Sequence, residues 1–80
     1  MLPKKPHVIR TLSLDQATHK TGFAIFDGKV LIQAGVFDNP NDNEAQRLVN
    51  FHAWLISLIE LWQPDKAIFE GIQLQEGGAV

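Results

Sequence analysis

Apolar residues fall along the chain in three short strand-like runs, one long run with helical spacing, and a final strand-like run. Residues 7–14 form the first. Val8, Ile9, Leu12 and Leu14 lie on both parities with no glycine or proline among them, as in a strand covered on both faces. Asp15 ends this run, and residues 16–21 form a polar loop. Residues 22–26 form the second strand. Asp27-Gly28, between Phe26 and Lys29-Val30, is the strongest local signal and predicts a two-residue hairpin turn. The third strand covers residues 29–37. In it Val30, Ile32, Ala34 and Val36 alternate with Leu31, Gln33, Gly35 and Phe37. The three strands therefore make an antiparallel meander.

Asn39-Pro40-Asn41 marks a loop. A helix is expected from Asn41 or Asp42 to about Trp62, with Asn41 and Glu44 resembling a capping box and Pro64 limiting the far end. Ala45, Leu48, His52, Leu55, Ile59 and Trp62 recur every three or four residues and predict the buried stripe. Val49, Phe51, Ile56 and Leu58 broaden it, and His52 on this stripe reads as a packed or partly exposed core histidine. Residues 66–70 form the fourth strand. A helix between strands three and four makes a crossover, so strand four lies parallel to strand one. The expected class is α/β, a mixed sheet in the order 3-2-1-4. Residues 1–6 form an extended lead-in. Residues 71–80 close no element, and Gly77-Gly78 reads as a loop.

Composition narrows the function classes. Eighty residues make one small domain with marginal stability. Without cysteine there is no disulfide, no thiolate metal site and no cysteine nucleophile. That suits a cytoplasmic protein, and no apolar run is long enough to span a membrane. The net charge of −2 provides no global basic field for nucleic acid, so any such contact is local.

Two acids carry the candidate chemistry. Asp15 and Glu70 each end an apolar strand. Alone, either is a solvated acid at a strand end. On neighbouring parallel strands, about 4.8 Å apart, their like charges repel, so a cation lies between them or one binds a proton. Hard oxygen ligands suit Mg2+ or Mn2+. Two such ions about 3.5–4 Å apart clamp the attacking and leaving oxygens of a phosphodiester. Two acids are few for two ions, so further ligands are expected beyond residue 80. Asp27 is explained by its turn and lies at the opposite end of the hairpin. His7, His19 and His52 have no metal-ligand spacing, and no phosphate-binding glycine motif occurs.

The aspartate ending strand one, Thr21-Gly22-Phe23-Ala24-Ile25, and the glutamate ending strand four together resemble the RuvC-type Holliday junction resolvases of the RNase H-like superfamily. The resemblance covers strands one to four. It implies an RNase H-like sheet, with Asp15 and Glu70 as catalytic metal ligands for two Mg2+ or Mn2+ ions. It implies endonucleolytic resolution of four-way DNA junctions in recombination and repair by a homodimer. Lys20, Thr21 and Gln73 are the expected substrate-binding residues, with Gln75 near the last of them. Ala17 stands where the family often has glycine, two residues past the aspartate. The family's two C-terminal acids and fifth strand have no counterpart in residues 1–80, so the chain is expected to be the N-terminal part of an incomplete nuclease domain, inactive alone. Two other classes remain. Actin-like and sugar-kinase ATP-binding domains share the architecture, but their strand-one loop carries glycines that residues 16–20 lack. In the other, the chain is a non-catalytic interaction fragment with incidental acids.

Overall fold

The computed structural model describes residues 8–70. The lead-in, Gln73, Gln75 and Gly77-Gly78 lie outside the described residues. The fold is a four-stranded mixed sheet with one helix. Its elements are β1 (Arg10–Gln16), β2 (Lys20–Asp27), β3 (Val30–Asp38), α1 (Glu44–Trp62) and β4 (Lys66–Glu70). The sheet order is β3-β2-β1-β4, with β1–β3 antiparallel and β4 parallel to β1. Both the meander and the crossover are as the sequence predicts.

The core is small. Leu12 and Leu14 of β1 and Ile25 of β2 are fully buried on one sheet face, against Leu58 and Trp62 of α1. Each such side chain contributes about 1.5–3 kcal/mol of transfer free energy. Trp54 extends the core toward β3. It stacks on Phe37 with centroids 4.7 Å apart and meets Phe23 edge-on at 5.7 Å. Gly35 pairs with Phe23 across the strands, and a Cβ there would lie 2.9 Å from the Phe23 ring. Glycine is what allows the ring to approach β3 this closely.

Four local expectations need correction. The hairpin turn is Gly28-Lys29 rather than Asp27-Gly28. Asp27 still pairs with Val30, and Gly28 carries the positive φ of 59°. Asp27 stays in the strand because its carboxylate accepts two hydrogen bonds from Arg10. The helix cap is Asn43, not Asn41. The Asn43 side chain accepts from the Gln46 amide, while the Asn41 side chain, two residues earlier, accepts from the Asn43 amide. The packed helix face runs through Phe51, Trp54, Leu55, Leu58 and Trp62, so the predicted stripe is rotated. Leu48, His52 and Ile59 on that stripe are exposed. Apolar residues surround α1, and the aromatic partners Phe23 and Phe37 select which side packs. Lastly, a bulge near Ile25 and Phe26 skips Ile32 in the β2–β3 pairing, which breaks the simple alternation in β3 and packs Ile32 on the core.

The helix ends where expected, at Trp62. Gln63 adopts a left-handed cap, and its amide donates to the Ile59 carbonyl at 2.7 Å. Asp65 then ties the start of β4 to β1. Its amide donates to the Arg10 carbonyl at 2.7 Å, and its carboxylate accepts from the Arg10 amide at 2.8 Å. That clamp sets the β1–β4 register. No helix among the described residues is long and apolar enough to cross a membrane.

Candidate functional site

The register places the two acids together. Along the parallel ladder Ser13 pairs with Ile68, Leu14 with Phe69, and Asp15 with Glu70. Leu14 faces the core, so its neighbours Ser13 and Asp15 face the other side of the sheet, which α1 does not cover. On the antiparallel side Asp15 pairs with Gly22. Gly22 has no side chain, and a Cβ there would sit 4.0 Å from the Asp15 Cβ. This leaves open space beside the aspartate.

A shallow depression of about 210 Å³ results, lined by Ser13, Asp15, Gly22, Phe23, Ala24 and Glu70. It holds two carboxylates and one hydroxyl, all hard oxygen donors suited to Mg2+ or Mn2+. Among the described residues no group of three or more His, Cys, Asp and Glu gathers. The pair therefore fits a divalent ion as two of its ligands, with water or other groups filling an octahedral shell. Both acids are solvent-exposed and accept no hydrogen bond from another described residue.

Two of the expected substrate residues, Lys20 and Thr21, are not beside this pair. Lys20 and Thr21 line a second cleft of about 510 Å³, between the β1–β2 loop and the first turns of α1. Thr21 lies on the helix-facing side, and Gln73 lies outside the described residues. The larger of these two clefts is thus separate from the carboxylates, and the acids sit in the shallower depression. Ser13 and Gly22 join the acids here as site neighbours beyond those that the sequence pattern marks. The signal was available in strand parity, since Ser13 stands two residues before Asp15 on the same face.

Asp27 belongs to a different structure. Arg10 Nε and Nη2 donate to its two carboxylate oxygens at 2.7 and 2.8 Å, and Arg10 Nη1 donates to the Trp62 carbonyl at 2.9 Å. The bond to Asp27, more than any other influence, raises the Arg10 pKa above its ordinary value. The guanidinium also compensates the negative end of α1, whose last turn has no basic residue of its own.

Comparison with family models, with curated proteins and with solved structures finds no match to this chain.

Proposed function

We propose that Asp15 and Glu70 form part of a divalent-metal centre for phosphodiester hydrolysis, in an RNase H-like domain of the RuvC resolvase type acting on four-way DNA junctions. One observation carries the reading. The acids are direct partners in the parallel β1–β4 ladder, on the open face of a sheet ordered β3-β2-β1-β4. Carboxylates of two separate strands thereby leave the same edge at one strand spacing. The β1 acid comes from the meander and the β4 acid from the crossover, so strand order and the β1–β4 register together set their separation.

Each residue has a role in this reading. Asp15 is central, with Glu70 on one side and the bare backbone of Gly22 on the other, where a phosphate can approach. Glu70 ends β4, the outermost strand on that side of the sheet among the described residues. Ser13 adds a hydroxyl to the floor. Bound divalent ions would lower the pKa of the attacking water and neutralise charge on the phosphate oxygens. Two carboxylates do not complete such a centre, so the reading requires further acids from outside the described residues.

The test compares wild type and Asp15→Asn in the complete protein, measuring both binding and cutting of a four-way junction in Mg2+. Cutting should be lost and binding kept, because affinity comes from cations on phosphates and the acids act through the metal. Persistent cutting by Asp15→Asn removes Asp15 from the mechanism. Magnesium-dependent ATP binding without any response to branched DNA would replace this reading with the kinase-like one.

A further inference from the structure

The 510 Å³ cleft on the helix side of the sheet has features that the metal pair does not use. Thr21 lines it and is only 3% exposed. Among the described residues its hydroxyl has no hydrogen-bond partner. A buried hydroxyl left unpaired costs free energy that a ligand would recover. The N-terminus of α1 adds donors to the same cleft. Asn43 caps the Gln46 amide, which leaves the amides of Glu44 and Ala45 without an acceptor among the described residues. Glu44 and Ala45 both line the cleft. Lys20 and Arg47 contribute two positive charges against the single carboxylate of Glu44. Phe51 provides an apolar wall.

We propose that this cleft binds the phosphate of a nucleotidyl unit, with the Thr21 hydroxyl, the first amides of α1, Lys20 and Arg47 as donors. The donors match phosphate oxygens, and a helix N-terminus favours an anion. The cleft is larger than one phosphate needs and is within the range of small-ligand sites. Its apolar wall suits a sugar and base. A free nucleotide and a nucleic-acid strand present the same chemistry here. The inference stands apart from the Asp15–Glu70 reading, because it uses the other face of the sheet and no metal.

The experiment follows amide chemical shifts of the 80-residue chain in a chelator, which silences the carboxylate site. The probes are inorganic phosphate, thymidine monophosphate and a short single-stranded oligothymidylate. Saturable shifts at Thr21, Glu44 and Ala45 are expected. Thr21→Val should weaken binding about tenfold, as loss of one charge-assisted hydrogen bond implies. It should also raise the urea midpoint, because an unpaired buried hydroxyl is removed; a purely structural threonine would lower it. The surface change Lys20→Gln should weaken binding without altering stability, and Glu44→Gln should strengthen it. Saturation by the monophosphate assigns the site to free nucleotides. Saturation by the oligonucleotide alone assigns it to a strand. Absence of saturable shifts with all three probes overturns the proposal, as does unchanged affinity in both Thr21→Val and Lys20→Gln.

Discussion

Arg10 grips Asp27 through a two-point ion pair at the end of the sheet opposite Asp15, with Nε to Oδ1 at 2.7 Å and Nη2 to Oδ2 at 2.8 Å. Arg10 is buried, and its third donor reaches the Trp62 carbonyl. One side chain therefore joins β1, the β2–β3 hairpin and the end of α1. Arg10→Met should lower unfolding stability by about 3 kcal/mol, as for a buried pair broken from one side. In a domain this small that loss consumes much of the total. Arg10→Lys should recover less than half of it, because an ammonium cannot make the planar fork. The folded-state pKa of Arg10 is raised, so its contribution is complete below the ordinary arginine range and is lost only as pH rises through the folded value. The gap in urea midpoint between wild type and Arg10→Met should therefore stay constant from neutral pH to about pH 10.

The same pair shows what the sequence could and could not display. Strand order was legible because a glycine turn and a helical crossover are local or topological signals. The turn position was not, since Asp27 is kept in its strand by an arginine 17 residues away. The helix was legible, but not its packed face, because Leu48, Val49, Ile56, Ile59 and Leu61 are apolar and yet exposed. Contact with Phe23 and Phe37 decides that face through Trp54, and no periodicity reveals it. In the candidate site, Asp15 and Glu70 were marked as acids ending apolar runs on strands that the crossover makes neighbours, but their register, set by the Asp65–Arg10 clamp, was not visible. Of the larger cleft, only Lys20 and Thr21 were marked, through the family resemblance; the rest of its lining comes from the end of β1, the β1–β2 loop, Asn39 and α1 and meets only in the fold.

Gly35 tests the aromatic packing. Gly35→Ala places a methyl 2.9 Å from Phe23 Cε1 and 3.1 Å from Cζ, and that ring is already set against Trp54. Overpacking of this kind costs about 1–3 kcal/mol. The urea midpoint should fall, and the tryptophan near-ultraviolet circular dichroism should change with it. Wild-type stability and an unchanged spectrum would mean that the ring moves freely.

Gly22 tests the access to Asp15. A methyl there makes only ordinary contacts, 3.9 Å to the Asp15 carbonyl oxygen and 4.0 Å to its Cβ. Gly22→Ala should fold with stability within about 0.5 kcal/mol of wild type. Gly22→Leu should fill the space beside the carboxylate and weaken Mn2+ binding about tenfold, or about 1.4 kcal/mol. Titration calorimetry on both variants reads the difference. Equal affinity in Gly22→Leu would show that ions approach from elsewhere.

Association follows from apolar surface exposed among the described residues. Val30, Leu31 and Val36 on edge strand β3 and Leu48, Val49 and Leu61 on α1 are more than half exposed. Open strand edges and apolar patches favour pairing between chains. Multi-angle light scattering at high micromolar concentration should give a dimer or larger species. A monodisperse monomer would count against the homodimer that a resolvase reading implies.

The central claim is that Asp15 and Glu70 hold a divalent ion together, and paramagnetic broadening by Mn2+ tests it most directly. Amide signals of the chain are followed at substoichiometric Mn2+. Asp15, Gly22 and Glu70, which the β1 register brings side by side, should broaden first and the helix last. Asp15→Asn and Glu70→Gln should each abolish the selective broadening, since an amide keeps the shape and removes the charge. Broadening spread evenly over the acidic surface, or selective broadening that survives Asp15→Asn, would contradict the claim.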